Sequence, residues 1–193
     1  MNVLAPEAEL WIVRHGQTEW SREWRHTSFT DLPLTEEGER QAETLRDALA
    51  SVEFDSVLSS PRIRARRTAE LAGFHDVILD EDLAEWDYGD YEGLTTETIR
   101  ERVPDWTVWT HPCPNGETAA EIGVRLDRVV DLARRPGRTL VFAHGHSLRV
   151  LAARWLGLEV EQGRIFDLDT ATYSVLSADR GTPVVKRWNV TGW

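Results

Sequence analysis

Three short stretches place histidine and arginine where an apolar run stops. Arg14-His15-Gly16 follows LWIV, Ser59-Ser60 is followed by Arg62 and Arg64, and His144-Gly145-His146 follows LVFA with Arg149 close behind. A chain that only needed to turn would more readily use Asn, Asp, Gly or Pro at such places. Guanidinium forks and imidazoles together suit an anion with several oxygens, and a neutral imidazole beside them can act as a nucleophile. Gly16 would let backbone approach such a ligand. If the three strand ends share one sheet edge, they form a pocket for a phosphoryl group. Two helix N-termini beyond them would then aim free N–H groups at it.

Alternating strands and helices must position these residues. Residues 9–14 read as a strand, and Thr35 caps a helix across TEEGERQAETLRDALAS. A strand at 55–59 leads into SSPRIRARRTAELAG, a helix expected to have Ser60 as N-cap, Pro61 at its first position and Gly73 just past its end. A third strand is expected at 77–79. The stretch 82–117 is irregular, with a short helix near 96–102. TAAEIGVRLDRVVDLARR carries Ile122, Leu126, Val129 and Ala133 on one helical face. A strand at 138–143 runs into a helix ending at Gly157, and strands near 171–177 and 184–188 close the chain. This alternation predicts one α/β domain over residues 1–193, a three-layer α/β/α sandwich around a mostly parallel sheet. Ligands of such sheets bind beyond the carboxyl ends of the strands.

Composition narrows the function classes. The 193 residues are 41% hydrophobic and 28% charged, and their net charge of −11 argues against a nucleic-acid or membrane-surface binder. No apolar run approaches the roughly 20 residues that span a bilayer. The opening MNVLAPEAEL has two glutamates and no basic residue, unlike a secretory signal, so a cytoplasmic location is expected. Cys113 is the only cysteine, which excludes an internal disulfide and a thiolate-rich metal site. Every basic residue except Lys186 is arginine, so an anion site here is built of guanidinium groups.

Taken in order, VRHGQTEWS, TDLPLTEEGERQA, SSPRIRARRTAELA, LAEWDYGDYEG, NGETAAEIGVRL and FAHGHSLRVLAARWLG resemble the histidine phosphatase superfamily, the fold shared by cofactor-dependent phosphoglycerate mutases and many phosphatases. The resemblance implies that His15 becomes phosphohistidine, that Arg14, Arg64 and His144 clamp the phosphoryl group, and that Glu85 protonates the leaving alkoxide. It implies no metal and no other cofactor. The like charges of Asp87, Asp90 and Glu92 would help Glu85 keep its proton. With a substrate dianion whose second pKa is about 6, this predicts a mildly acidic optimum. Ser21 stands where many members have a phosphate-holding Asn, and Ser28 where glycine is common. With Thr27, Arg62, Ser147 and Arg149 they are the expected substrate-binding residues, Arg149 for a distal second phosphate. Arg22, Arg25 and His26 would rim the pocket, and Trp86, Trp106 and Trp109 would wall it.

The motifs look closest to the small sugar-phosphate phosphatases, among them the sedoheptulose bisphosphatase-like and actinobacterial acid phosphatases. The expected activity is a metal-independent phosphomonoesterase acting on small phosphorylated metabolites such as sugar phosphates or bisphosphates. A phosphoglycerate mutase is the alternative. Mutases carry a longer insert with paired arginines after the catalytic glutamate, whereas TTETIRERVPDWTVWTHPCPNGET is short and has no such pair. A zinc hydrolase on His144 and His146 lacks further ligands nearby. A non-catalytic phosphate binder would have no use for a nucleophile and a proton donor.

Overall fold

LWIV and TLVFA are uninterrupted apolar runs, the pattern of strands covered on both faces. The computed structural model, which describes residues 4–192, places both at the centre of a six-stranded sheet. In chain order the elements are β1 (Glu9–Arg14), α1 (Glu19–Arg22), α2 (Glu36–Ala50), β2 (Ser56–Ser59), α3 (Ile63–Leu71), β3 (Ile78–Leu79), α4 (Thr96–Arg100), α5 (Ala119–Ala133), β4 (Arg138–Ala143), α6 (Gly145–Trp155), β5 (Thr172–Asp179) and β6 (Thr182–Thr191). Strand order is β3-β2-β4-β1-β5-β6. The first four of these run parallel, and β5 and β6 add antiparallel pairs, so the sheet is mostly parallel as expected.

Side-chain alternation assigns the layers. Leu10 and Ile12 of β1, with Val141 and Ala143 of β4, pack with Ile122, Leu126, Leu148 and Leu151 of α5 and α6. Trp11 and Val13, with Leu140 and Phe142, face the other way onto Leu45 and Leu49 of α2 and Ala69 of α3. Successive strand residues point to opposite faces, so each strand feeds both cores. The result is the α/β/α sandwich.

Register then positions the chemistry. Arg14 pairs with Ala143, and Ser59 with Phe142, so β1, β4 and β2 stop at nearly one level. His15, His144 and Ser60, each the next residue, stand along the same sheet edge. Behind them, a Cβ on Gly16 would lie 2.3 Å from the Gly38 carbonyl oxygen, and one on Gly38 would lie 2.1 Å from the Gln17 carbonyl oxygen. Only two glycines allow the first turn of α2 to press directly on the loop behind His15.

The local readings differ from the structure in places with physical causes. α3 starts later than its sequence suggested. Arg62, not Ser60, is its N-cap and makes no side-chain capping bond. The Ser60 hydroxyl instead receives a bond from His144, and its backbone N–H still pairs with β4 at Phe142. The four-residue α1 is not evident in the sequence. Thr18 and Ser21 close it with a reciprocal capping box. Its other end is a Schellman turn: the Arg25 N–H reaches the Trp20 carbonyl and the Trp24 N–H reaches the Ser21 carbonyl. Trp24 therefore occupies the left-handed position, φ 58°, where glycine is usual. A side chain there costs roughly 1–2 kcal/mol.

Between α4 and α5, Cys113 is buried in the core cluster that contains Trp86 and Trp106. Burial first, and the charge of Asp87 second, push its thiol up to about 12.

Candidate active site

A cleft of about 550 Å³ opens at the carboxyl edge of β1 and β4. Arg14, His15, Glu85, Gly145, His146 and Arg149 line it, together with residues 17–18, 21–22, 24–27, 96–97 and 167–170.

His15 is nearly buried at 6% exposure, and its Nδ1–H donates to the Gly16 carbonyl at 2.8 Å. That bond leaves the lone pair on Nε2. Burial holds the ring well below the usual histidine range, and the charges of Arg64 and Arg14 add to the effect. Arg14 donates from Nη1 to the Leu168 carbonyl, while its Nε is buried without a protein partner. A buried guanidinium N–H without a partner is costly, and an anionic ligand would satisfy it.

Glu85, also 6% exposed, is held by backbone donors. Its Oε1 accepts from the N–H of Trp86 at 2.9 Å and of Ser147 at 2.7 Å, and its Oε2 accepts from the N–H of His146 at 3.0 Å. The first turn of α6 thus presents its N–H groups to Glu85. At the start of α3 the Ile63 N–H is likewise taken by a carboxylate, Asp31, at 2.9 Å. The N–H groups of His146 and Ser147 on α6 and of Ile63 on α3, expected to face the ligand, are thus spent on carboxylates, while Gly145 at the start of α6 lines the cleft.

The carboxylates expected to crowd Glu85 are employed elsewhere. Asp87 accepts from the Gly89 N–H and Asp90 from the Asn115 amide. Glu92 accepts from the N–H groups of Ser28 and Thr30. Arg125 fixes the segment around Glu85 by donating to the carbonyls of Asp82, Ala84 and Glu85 and to both oxygens of Glu117. Nothing in the sequence singled out Arg125 or Glu92 for these tasks.

Arg64 and His144 lie beneath the cleft and are fully buried. Arg64 donates from Nε to His144 Nδ1 at 3.1 Å, and from its terminal nitrogens to the carbonyls of Thr27, Ser28 and Thr30. The first bond makes His144 Nδ1 an acceptor, so its Nε2–H donates to Ser60 Oγ at 2.7 Å. Both ring nitrogens of His144 are therefore engaged, which leaves none to bind zinc. The His15 and His144 rings are 5.2 Å apart.

Of the expected substrate-binding residues, Ser21, Thr27 and Arg149 line the cleft. The Ser21 hydroxyl, however, accepts from the Thr18 N–H and donates to the Thr18 carbonyl. Ser28 is buried and its N–H is committed to Glu92, so it offers no backbone contact to phosphate. Arg62 stacks over the Phe29 ring at 5.0 Å and is not among the residues lining the cleft. Ser147 is fully buried and serves Glu85 through its N–H. Arg149 lies over Trp109 at 4.9 Å and donates to the carbonyls of Gly163 and Arg164. Arg22, Arg25 and His26 line the cleft as expected, whereas Trp86 and Trp106 are buried packing. Tyr88, Glu97, Asp167 and Asp169 line it without any signal in the sequence beyond their polarity.

Four buried or largely buried histidines give the site a pH signature. Burial is the first cause in each: His15, His144 and His146 are held well below 6.5, and His26 is pushed down to about 4. Below pH 6.5 the unfolded chain takes up these protons while the folded chain resists them. This contribution to stability is complete above pH 6.5 and is lost as pH falls towards the folded values. Each histidine contributes a slope of up to about 1.4 kcal/mol per pH unit. The thermal midpoint is expected to fall steadily from pH 7 to pH 4.5, and a midpoint that holds or rises over that range would contradict these environments.

Residues 10–191 match the family model described as histidine phosphatase superfamily, branch 1. An acid phosphatase of Mycobacterium tuberculosis is 42% identical over 188 residues, covering 95% of this chain and 93% of that protein. The sedoheptulose 1,7-bisphosphatase of Saccharomyces cerevisiae is 38% identical over 213 residues, covering 88% and 79%. A solved structure of a Mycobacterium tuberculosis open reading frame superposes with a TM-score of 0.92 at 41% identity, covering 96% of this chain and 99% of that one.

Proposed function

The chain belongs to the histidine phosphatase superfamily, and from that premise we propose that it is a metal-independent phosphomonoesterase for small sugar phosphates or bisphosphates, working through a phosphohistidine on His15. One observation carries the reading: a neutral imidazole, its Nδ1–H fixed on a backbone carbonyl, lines a cleft shared with a partly unpartnered guanidinium and a carboxyl group.

In the first step His15 Nε2 forms a bond to phosphorus as the ester P–O bond breaks, and the departing alkoxide takes the proton of Glu85. Water then attacks phosphorus and gives its proton to Glu85. The P–N bond breaks, which returns neutral His15 and releases phosphate. Positioned cations are the main requirement of phosphoryl transfer. Arg14 supplies one at the cleft wall. Arg64 supplies charge from below, while its bonds to residues 27, 28 and 30 hold the loop over the site. His144, from beneath the phosphoryl position, keeps Arg64 in place and would join the clamp itself once its Nε2–H turns from Ser60 to the phosphoryl group. Arg149, at the cleft wall, would hold a distal phosphate with the donors that its bonds to the Gly163 and Arg164 carbonyls leave free. Residues 1–193 act as a single domain in this reading.

The test is phosphate release from a panel of phosphorylated metabolites in the presence of EDTA. The panel includes sugar monophosphates, sugar bisphosphates and 3-phosphoglycerate with its bisphosphate cofactor. Release from sugar phosphates supports the proposal. Interconversion of phosphoglycerates without release would make the protein a mutase and overturn it.

A further inference from the structure

Trp24 is the most exposed large apolar residue described, with 80% of its surface open, and it lines the catalytic cleft. It also occupies a backbone position that favours glycine, φ 58° at the end of α1. Folding therefore gains nothing from this side chain: it buries little apolar surface and strains the turn that carries it. A strained residue at a ligand cleft points to a task in the cleft.

The surroundings say what kind of body the indole would meet. The cleft is lined by four arginines and four carboxylates, so its charge is balanced. Beyond Arg14, His15 and Glu85, where the phosphoryl chemistry is placed, it carries Glu97 and Asp167 with the hydroxyls of Thr96 and Thr170. Carboxylates accept from hydroxyl groups, guanidinium groups donate to them, and an aromatic face covers the C–H face of a ring. A neutral, hydroxyl-rich ring uses all three at once, whereas an open chain cannot hold one face flat on the indole.

We propose that Trp24 is a specificity-determining platform that selects phosphate esters of sugars in their ring form over open-chain polyol phosphates. The proposal rests on the phosphatase reading and narrows its substrate class.

The experiment compares D-glucose 6-phosphate with its open-chain counterpart D-glucitol 6-phosphate, which has the same number of carbons. The enzymes are the wild type, Trp24→Gly and Trp24→Ala. The wild type is expected to favour the ring ester in kcat/KM by about threefold to tenfold, the value of one aromatic contact. Both variants should bring that ratio near unity through KM, with kcat and the open-chain ester little changed. Trp24→Gly should also melt no lower than the wild type, because glycine relieves the turn.

A wild-type ratio near unity would overturn the proposal, as would a ratio that survives in both variants. With p-nitrophenyl phosphate as a third substrate, a loss confined to that ester would overturn it too, by making the platform one for planar aromatics. Absence of phosphate release from every ester sinks the phosphatase reading itself. Calorimetric binding of the same two phosphates still decides the role of Trp24 in that case.

Discussion

The His15→Ala protein is expected to fold, to bind inorganic phosphate, and to release phosphate from no ester at a measurable rate. The loss should be about 10^4-fold or more, since removing a covalent nucleophile removes the reaction path and not one contact along it. Binding should survive because Arg14 keeps its anchor on the Leu168 carbonyl and its unpartnered Nε without help from the imidazole. A brief incubation of the wild type with labelled substrate should leave label on the protein that is stable to alkali and lost in acid, as a phosphoramidate requires. The variant should take up none. Because His15 is neutral well below pH 6.5, labelling should persist at pH 5.5. Turnover by the variant within tenfold of the wild type would remove His15 from the mechanism.

Glu85→Gln is expected to separate substrates by their leaving groups. For sugar phosphates, whose alkoxide must receive a proton to depart, kcat should fall by 10^2- to 10^4-fold, roughly the worth of a positioned general acid. For p-nitrophenyl phosphate, whose leaving group departs without a proton, the fall should be about tenfold or less. The amide is nearly isosteric, but its NH₂ cannot accept from the backbone. Whichever way it is turned, at least one of the three N–H groups that now reach the carboxylate loses its acceptor. A modest drop in thermal midpoint is therefore expected as well. Equal losses on both substrates would mean that Glu85 only braces α6, and proton donation would have to come from another group.

The strand ends were readable because polar residues broke apolar runs at Arg14, Ser59 and His144. Placing those ends at one level needed only parallel pairing, which the strand–helix alternation implies. What the sequence did not disclose is the direction of hydrogen bonds. Ser28 and Ser147 look like phosphate contacts by position, yet both spend their N–H groups on carboxylates, Glu92 and Glu85. Arg62 and Arg64 are two residues apart at the start of one helix, and their fates differ completely. One stacks over Phe29, and the other is buried under the loop at residues 27–30. That difference goes with a helix that begins at Ile63, two residues later than Ser60 and Pro61 suggested. Arg125 was invisible because its partners are mostly carbonyls, which have no sequence signature.

The sheltered thiol has a consequence for life under oxidants. Phosphatases that attack with a cysteine must keep it as thiolate, and the same property exposes them to peroxide. Here the one thiol is Cys113, buried and pushed up to about 12, so at pH 7 it stays protonated. It is not among the residues lining the cleft, where the proposed nucleophile is a nitrogen that climbs no comparable ladder of oxidation. Doses of hydrogen peroxide or iodoacetamide that silence thiol-dependent enzymes should leave this one working.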